Sequence, residues 1–254
     1  HAHVHTEYST LDGAAKLGEI TKAAAADGQP ALAITDHGTL SGVPAFVKAC
    51  RAEGVKPIVG IEAYMAEDRT VRGKTEQGKQ AYHITMLAQD QAGWRNLVQV
   101  SSRAYLEGYY FKPRLDWDVL ADHAEGIIVT TGCLGGIVCQ RLMAGDDAGA
   151  LEAAGRLADI FGQDRTFVEL QDHGLDDQAA TNPRLVGLAR RLGLRTVATN
   201  DCHYTRCADA EPHDLLLCVQ TGAKLDDPDR FRFGSDQHYL KTADEMRRLF
   251  DWAP

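Results

Sequence analysis

The 254-residue sequence has no long apolar run, no excess of positive charge and no cysteine pairing pattern, and each absence removes a class of protein. Apolar stretches such as 126–129 fall far short of the ~20 residues a membrane-spanning helix needs. Nothing at the start reads as a basic and then apolar leader. The six Cys (50, 133, 139, 202, 207 and 218) contain no CxxC pair. Ribbon-type zinc sites and disulfide scaffolds therefore drop out, and separate reduced thiols are expected. With 44% hydrophobic residues, 25% charged, 24 Gly and 8 Pro, collagen-like and disordered classes are excluded as well. Lys and Arg number 27 against 36 Asp and Glu, a formal net charge of −9, which argues against wrapping nucleic acid by charge alone. Bound divalent cations would offset much of that deficit and concentrate positive charge in one place. The sequence opens on His1 rather than Met, so a missing or processed N-terminus is expected, in a soluble cytoplasmic protein.

What is abundant is histidine, ten in all, set in a regular alternation of strand-like and helix-like segments. The strand-like runs are 1–5, 31–35, 57–65, 82–88, 126–131, 166–171 and 195–200; helical segments lie near 14–27, 42–54, 90–107, 135–161 and 177–192. That order builds parallel βαβ units, so an α/β fold is predicted. Seven strands suggest a closed or nearly closed barrel, with a doubly wound open sheet as the alternative. Residues 67–80 read as one exposed loop in which Arg69, Arg72, Lys74 and Lys79 are nearly balanced by Glu67, Asp68 and Glu76. After residue 205 come an apolar helix over 208–221, a turn-rich stretch, a short strand around Tyr239 and a final helix. This tail, 206–254, is expected to pack as an extension on a barrel of residues 1–205.

Almost every strand-like run carries a metal-type residue at or near its C-terminal end, and in parallel α/β folds those ends converge on the face that holds the site. Alternate residues of a strand share a face, so His3 and His5 point one way, as do Asp201 and His203, while Cys202 must point the other. A lone HxH is weak. HxH followed by Asp36-His37, Glu62, His83 and the Asp201/His203 pair at successive strand ends is a strong pattern for a metal cluster. Mixed imidazole and carboxylate donors favour Zn²⁺, Mn²⁺ or Fe over Mg²⁺. Several ions close together suit hydrolysis of a phosphate ester, by lowering the pKa of a water and stabilising the leaving oxygen. No competing Gly-rich nucleotide loop or nucleophile elbow is present.

Some residues have plainer readings. Asp12 suits a turn before Gly13 and a helix cap, and Cys133 suits a buried thiol among Gly132, Gly135 and Gly136. Asp36, beside His37, is better suited to orienting a ligand than to being one. His173 and Glu169 either hold a ligand in place or form a polar core pair. Lys112 and Arg114, with Tyr109 and Tyr110, suit contact with a DNA strand through phosphate and stacked base, or a solvated loop. His1, His123, His213 and His238 read as incidental.

Taken together, HVHTEYSTLDG (3–13), ITDHG (34–38), VGIEAY (59–64), HITML (83–87), YFKPR (110–114), TTGCL (130–134), ELQDHG (169–174) and TNDCHY (199–204) resemble the PHP (polymerase and histidinol phosphatase) superfamily. The closer resemblance is to the PHP domain at the start of bacterial replicative DNA polymerase III alpha subunits. DLLLCVQTG (214–222), DPDRFRF (227–233) and YLK (239–241) resemble that polymerase's link toward its palm rather than a histidinol phosphatase. The resemblance implies a distorted seven-stranded (β/α) barrel of PHP type with up to three divalent ions, Zn or Mn first and Fe as a further candidate. It implies one ion on His3, His5, Glu62 and Asp201, a second on Glu62, His83 and Cys133, and a third on Asp12, His37 and His203. Asp12, Glu62 and Asp201 would be the catalytic carboxylates. No ligand position is visibly lost, so the resemblance implies a working 3′→5′ proofreading exonuclease in DNA replication. Its partners would be single-stranded or frayed primer-template DNA, the rest of the alpha subunit, the replisome clamp and other holoenzyme subunits, with no membrane. No palm, fingers or thumb follows Pro254, so the chain is not expected to polymerise DNA itself. A PHP-type phosphomonoesterase and a non-catalytic, metal-stapled module are the alternatives.

Overall fold

Helices form where apolar side chains recur on one face. α1 (Leu17–Ala26) buries Leu17, Ile20, Thr21 and Ala24, and α2 (Val43–Ala52) buries Val43, Phe46 and Cys50, one stripe of a 3.6-residue repeat. Between them lies the short buried strand β1 (Ala31–Ile34). The computed structural model describes residues 1–72 and 81–253. The chain continues through β2 (Lys56–Met65), β3 (Tyr82–Ala88) and α3 (Gln91–Glu107), then a hairpin of β4 (Tyr109–Tyr110) and β5 (Lys112–Leu115). Next come α4 (Trp117–Asp122), β6 (Ile127–Thr130), α5 (Ile137–Met143), α6 (Asp147–Phe161), β7 (Thr166–Leu170), α7 (Asp176–Leu192) and β8 (Arg195–Ala198). The tail holds a single 3-10 turn (Cys207–Asp209), α8 (Ala210–Thr221) and α9 (Ala243–Leu249).

The strands form one curled, mixed sheet. β1 pairs parallel with β2, β6 with β7 and β7 with β8, whereas β3 runs antiparallel to both β2 and β6. An all-parallel sheet is thus corrected at β3, and the β4–β5 hairpin is antiparallel as well. A parallel return needs a crossover, usually a helix; between β2 and β3 no described residue is helical, and the chain simply doubles back. Residues 1–6 are not a regular strand either. They sit as one stave between β1 and the segment after β8, through Ala33 N–H to the His1 carbonyl (2.9 Å), Thr35 N–H to Val4 (2.9 Å) and His5 N–H to Cys202 (2.7 Å). With that stave the sheet curls into the distorted seven-stranded α/β barrel expected, and the β4–β5 hairpin attaches outside it at the end of β2.

The helix expected over 135–161 is broken at Ala144–Asp146. Gly145 takes φ +79° there, and the Asp146 side chain caps the new helix by accepting from Gly149 N–H (2.8 Å). In the tail, the strand expected near Tyr239 is a single bridge to Tyr204. Arg230 and Asp214 form a close pair that ties the turn-rich stretch to α8, and Thr242 and Glu245 cap α9 reciprocally. Of the expected 67–80 loop, 67–72 is exposed apart from half-buried Arg69; Lys74, Glu76 and Lys79 lie outside the described residues. Among the described residues, two apolar cores result. The larger packs β2, β3, β6 and β7 against α3–α7, and the smaller packs α1, β1 and α2 with Val4, Cys202 and Leu240. Among the described residues, no helix is long and apolar enough to cross a membrane.

Candidate metal centre

The C-terminal ends of the parallel strands meet at one rim, and β3 joins them by running backwards. His83 is the second residue of β3 and pairs with Tyr64 near the end of β2. It reaches the rim from the start of its strand, not from a C-terminal end.

Each inner histidine is held through its far nitrogen. His3 Nδ1–H donates to Glu169 Oε1 (2.7 Å), a carboxylate that also accepts from the Thr130 and Thr199 hydroxyls and from Gln171. His3 Nε2 then stands 3.3 Å from both Glu62 Oε1 and Asp201 Oδ1. The Ser9 hydroxyl donates to Asp36 (2.8 Å), so its lone pair takes His5 Nδ1–H (3.0 Å). His5 Nε2 is left unprotonated, 3.2 Å from Asp201 Oδ1 and 3.5 Å from Glu62 Oε2. An imidazole pinned on its far nitrogen with the near one turned inward is the arrangement of a metal ligand; here the two inward nitrogens, His3 Nε2 and His5 Nε2, lie 3.1 Å apart. Burial, then the nearby His37 and His203, pulls the His5 pKa down to about 3. Burial also acts to lower His3, but the fields of Asp201, Glu169 and Glu62 outweigh it and hold His3 well above its usual range. Asp36 accepts from Thr6 N–H (2.6 Å), the Thr6 hydroxyl (2.9 Å) and Ser9; it braces His5 through Ser9.

The outer residues gather around Glu62. His83 Nδ1 is 3.1 Å and Cys133 Sγ 3.5 Å from Glu62 Oε1, and Cys133 Sγ is 3.5 Å from His83 Nδ1. His37 reaches two carboxylates: Nε2 is 3.2 Å from Asp12 Oδ2, and Nδ1 is 2.7 Å from Glu62 Oε2 at an angle that makes no hydrogen bond. His203 Nδ1–H donates to the Asp201 carbonyl (2.9 Å), which turns Nε2 toward Asp12 Oδ1 at 3.5 Å. His37 is raised to about 10: burial opposes this, and Glu62 with Asp12 wins.

These residues fit divalent cations. Among the described residues, Asp12 Oδ1, His37 Nδ1, Glu62 Oε2 and Asp201 Oδ1 are buried without any hydrogen-bond partner, an arrangement that costs roughly 1–3 kcal/mol per atom when nothing else satisfies it. Burial acts to raise the Asp201 and Glu62 carboxyls, but the surrounding histidines, His3 and His203 for Asp201 and His83, His37 and His3 for Glu62, hold both well below the usual range. The Cys133 thiol goes the other way, pushed well up by burial and then by Glu62 and Asp201; a cation among them would reverse that. His3/His5/Asp201, His37/Glu62/His83 and His5/His37/His203 each bring their donor atoms within 4.8 Å. Room is kept by Gly135, where a Cβ would stand 3.0 Å from His83 Nδ1 and 3.4 Å from Cys133 Sγ. At Gly13 a Cβ would strike the Thr6 carbonyl at 2.0 Å, so only glycine lets the loop after Asp12 fold back.

The tail supplies braces that the sequence reading missed. Asp201 has φ +41°, a left-handed conformation that Asp tolerates better than most residues. Asn200 holds that turn by donating to the Gln237 and Tyr239 carbonyls (2.8 and 2.7 Å), and His203 N–H donates to the His238 carbonyl (2.8 Å). His173 Nε2–H donates to the Asn200 carbonyl (2.9 Å) while Nδ1 accepts from Gln178 (2.8 Å), so both its nitrogens are engaged in bracing. His238 stacks on His173 at 3.7 Å and lies within ligand reach of Asp201 and His203. His213 Nε2–H donates to the Asp12 carbonyl (2.7 Å). Neither His213 nor His238 is incidental, yet no local spacing marks them, because only the path of the tail brings them here.

Arg114 requires a correction. It is 2% exposed and donates to the Gly108 and Arg69 carbonyls (3.1 and 3.0 Å). Pairing of β5 with β2 turns it inward, so it closes the hairpin and is not open to a DNA strand. Lys112 stays exposed, with Nζ 5.0 Å from the Tyr64 ring centre. Cys202 does face away from its neighbours, toward His1 and the Tyr239 carbonyl. The cluster opens at Asp12 and His37 into a cavity of about 430 Å³.

A family model described as "PHP domain" matches residues 1–173. DNA polymerase III subunit alpha of Treponema pallidum is 45% identical over all of this chain and 22% of its own length, and that of Thermus aquaticus is 47% identical over 98% of this chain and 21% of its own. The chain thus spans about a fifth of these relatives. Among solved structures, a Bifidobacterium adolescentis protein proposed to be a metal-dependent phosphoesterase overlaps 98% of this chain and 94% of its own, with a TM-score of 0.49 and 15% identity. That likeness is too distant to speak to chemistry.

Proposed function

This chain belongs to the PHP domain family, and on that premise we propose that it is the metal-dependent 3′→5′ proofreading exonuclease domain of a bacterial replicative polymerase, acting in the cytoplasm on the primer strand. The observation that carries the reading is the cluster itself: seven of the nine donor residues share groups whose ligand atoms lie within 4.8 Å of one another, Asp12 and Cys133 stand 3.2–3.5 Å from members of them, four of their buried atoms lack partners, and one side is open. The residues that would hold ions are His3, His5, Glu62 and Asp201 for one, Glu62, His83 and Cys133 for a second, and Asp12, His37 and His203 for a third. Zn²⁺ or Mn²⁺ suits that donor set best, with Fe a further candidate. Such ions supply a water of lowered pKa and neutralise charge on the phosphate.

The chain's own groups do the rest. Asp12, at the mouth between His37 and His203, orients the attacking water, whose proton passes to solvent, while Glu62 and Asp201 hold opposed histidines in register. The water oxygen bonds to phosphorus and the P–O3′ bond breaks. The 3′-oxygen leaves and takes a proton from solvent water, giving a nucleoside 5′-monophosphate and a primer one nucleotide shorter. The partners are a frayed single-stranded primer end, the rest of the alpha subunit, the clamp and the other holoenzyme subunits; the tail, 206–254, leads toward the polymerase palm.

The test is release of nucleotide from a 3′-labelled mismatched primer with Mn²⁺ or Zn²⁺, using Asp201→Asn as control. Release by the parent alone is expected. Phosphate released from a monoester but no nucleotide from the primer would point to a phosphomonoesterase. A metal-replete protein that cuts neither would be a metal-stapled structural module.

A further inference from the structure

We propose that the cavity beside the cluster is a nucleobase-stacking subsite, in which Tyr105, Tyr109 and Phe111 receive the terminal bases of a single DNA strand and Lys112 meets its phosphate; this rests on the exonuclease reading. Large aromatic rings belong in cores, yet these three stand in water: Tyr105 is 48%, Tyr109 59% and Phe111 67% exposed. They come from two neighbouring elements, the end of α3 and the β4–β5 hairpin, and line one cavity together with Asp12 and His37. Clustered exposure of this kind marks a contact surface.

Three details aim the surface at a base. The Tyr105 and Tyr109 rings are nearly parallel, 20° apart with centres at 6.2 Å, so the two elements hold their rings in one orientation as a stacking wall. Phe111 is held at φ +59°, a conformation bulky residues rarely adopt and one concentrated at functional sites. Tyr64 links wall to cluster, stacking on His37 at 5.8 Å while Lys112 Nζ lies 5.0 Å over its ring. A positive charge therefore stands between the wall and the ligands, where the phosphate of a strand threading inward would pass.

The chemistry selects the occupant. Every base has a π-face, so stacking accepts all of them, while hydrogen-bond readout would not. A proofreader needs that tolerance, because the residue it removes can be any of the four. A monoester without a ring would gain nothing from such walls.

The test compares the parent with a Tyr109→Ala/Phe111→Ala double variant on two primers, one ending in an ordinary nucleotide and one in an abasic residue. On the ordinary end the variant is expected to lose roughly 10- to 100-fold in kcat/KM, the equivalent of one or two stacked bases; on the abasic end, which lacks the terminal base but keeps the next, the loss is expected to be clearly smaller. Equal losses on both ends, or none on either, would overturn the subsite. Binding is read separately, without turnover, from quenching of a 3′-terminal 2-aminopurine on stacking. Quenching by the parent and not the variant, even with no cleavage, would keep the subsite and sink the exonuclease reading. Cleavage by both proteins with identical quenching would do the reverse.

Discussion

His3, His5 and Glu62 lie at the floor of the cluster with almost no exposure, whereas Asp12, His37, His83 and Cys133 stand nearer the mouth, up to 27% exposed at the His83 side chain. The floor histidines are pinned from behind by groups on other elements, Glu169 and the Ser9–Asp36 pair. The outer residues are held chiefly by one another, with the Asp12 backbone tethered by His213 in the tail. A donor pinned from behind loses no rotamer freedom when it takes a metal; one held by its fellow ligands must exchange those contacts for the cation. The floor is thus preorganised, and the outer half is adaptable where substrate enters.

The sharpest way to break this comparison is Glu62→Gln, since Glu62 touches His3 and His5 on one side and His37, His83 and Cys133 on the other. It is expected to abolish nucleotide release, a loss of roughly 10²–10³-fold or more, and to cut metal content in both halves. Loss confined to one half, counted by elemental analysis, would show that Glu62 is no bridge. Stripping the metals with a chelator is expected to lower Tm reversibly, by the linkage of about 3–4 kcal/mol that tight binding supplies. A Tm unmoved by verified metal loss would mean that the histidines and carboxylates hold the rim unaided.

Glu169→Gln and Cys133→Ser then test floor against mouth. The first keeps volume but removes the charge behind His3, and should weaken floor binding by about 10- to 100-fold. The second should cost one equivalent of the outer metal and leave the floor filled; titration of metal content against free-metal concentration separates them. If both variants lose the same ion, the division into halves fails. The smallest effect expected is that of His213→Gln, which removes or lengthens one buried hydrogen bond to the Asp12 carbonyl, worth ~1 kcal/mol. Its mark would be a modest fall in outer-metal affinity with Tm nearly unchanged, and a floor ion lost instead would contradict the tether.

Much of the floor was legible because its signals are local. HxH rests on the two-residue period of extended chain, and a short run of sequence displays it; Asp201 and His203 were legible as donors, but a left-handed turn at Asp201 and not an extended strand sets their directions. His83 was legible as a donor but not in its direction. Its strand reads as one more β-run, while its antiparallel sense depends on a connection without a helix in its described part. Arg114 misled for a related reason: YFKPR reads as a basic and aromatic loop, but pairing of β5 to β2 buries that one side chain and leaves Lys112 and Phe111 outside.

By itself, the sequence determined the donor types, their association with strand-like runs and the α/β class, since each follows from residue chemistry and periods of a few residues. Only the tertiary structure decided which donors are braced, that His213 and His238 belong to the centre, and which aromatics face the mouth. Those outcomes depend on contacts between segments up to two hundred positions apart, as between Asp12 and His213, and such contacts exist only once the curled sheet has closed and the tail has crossed its rim.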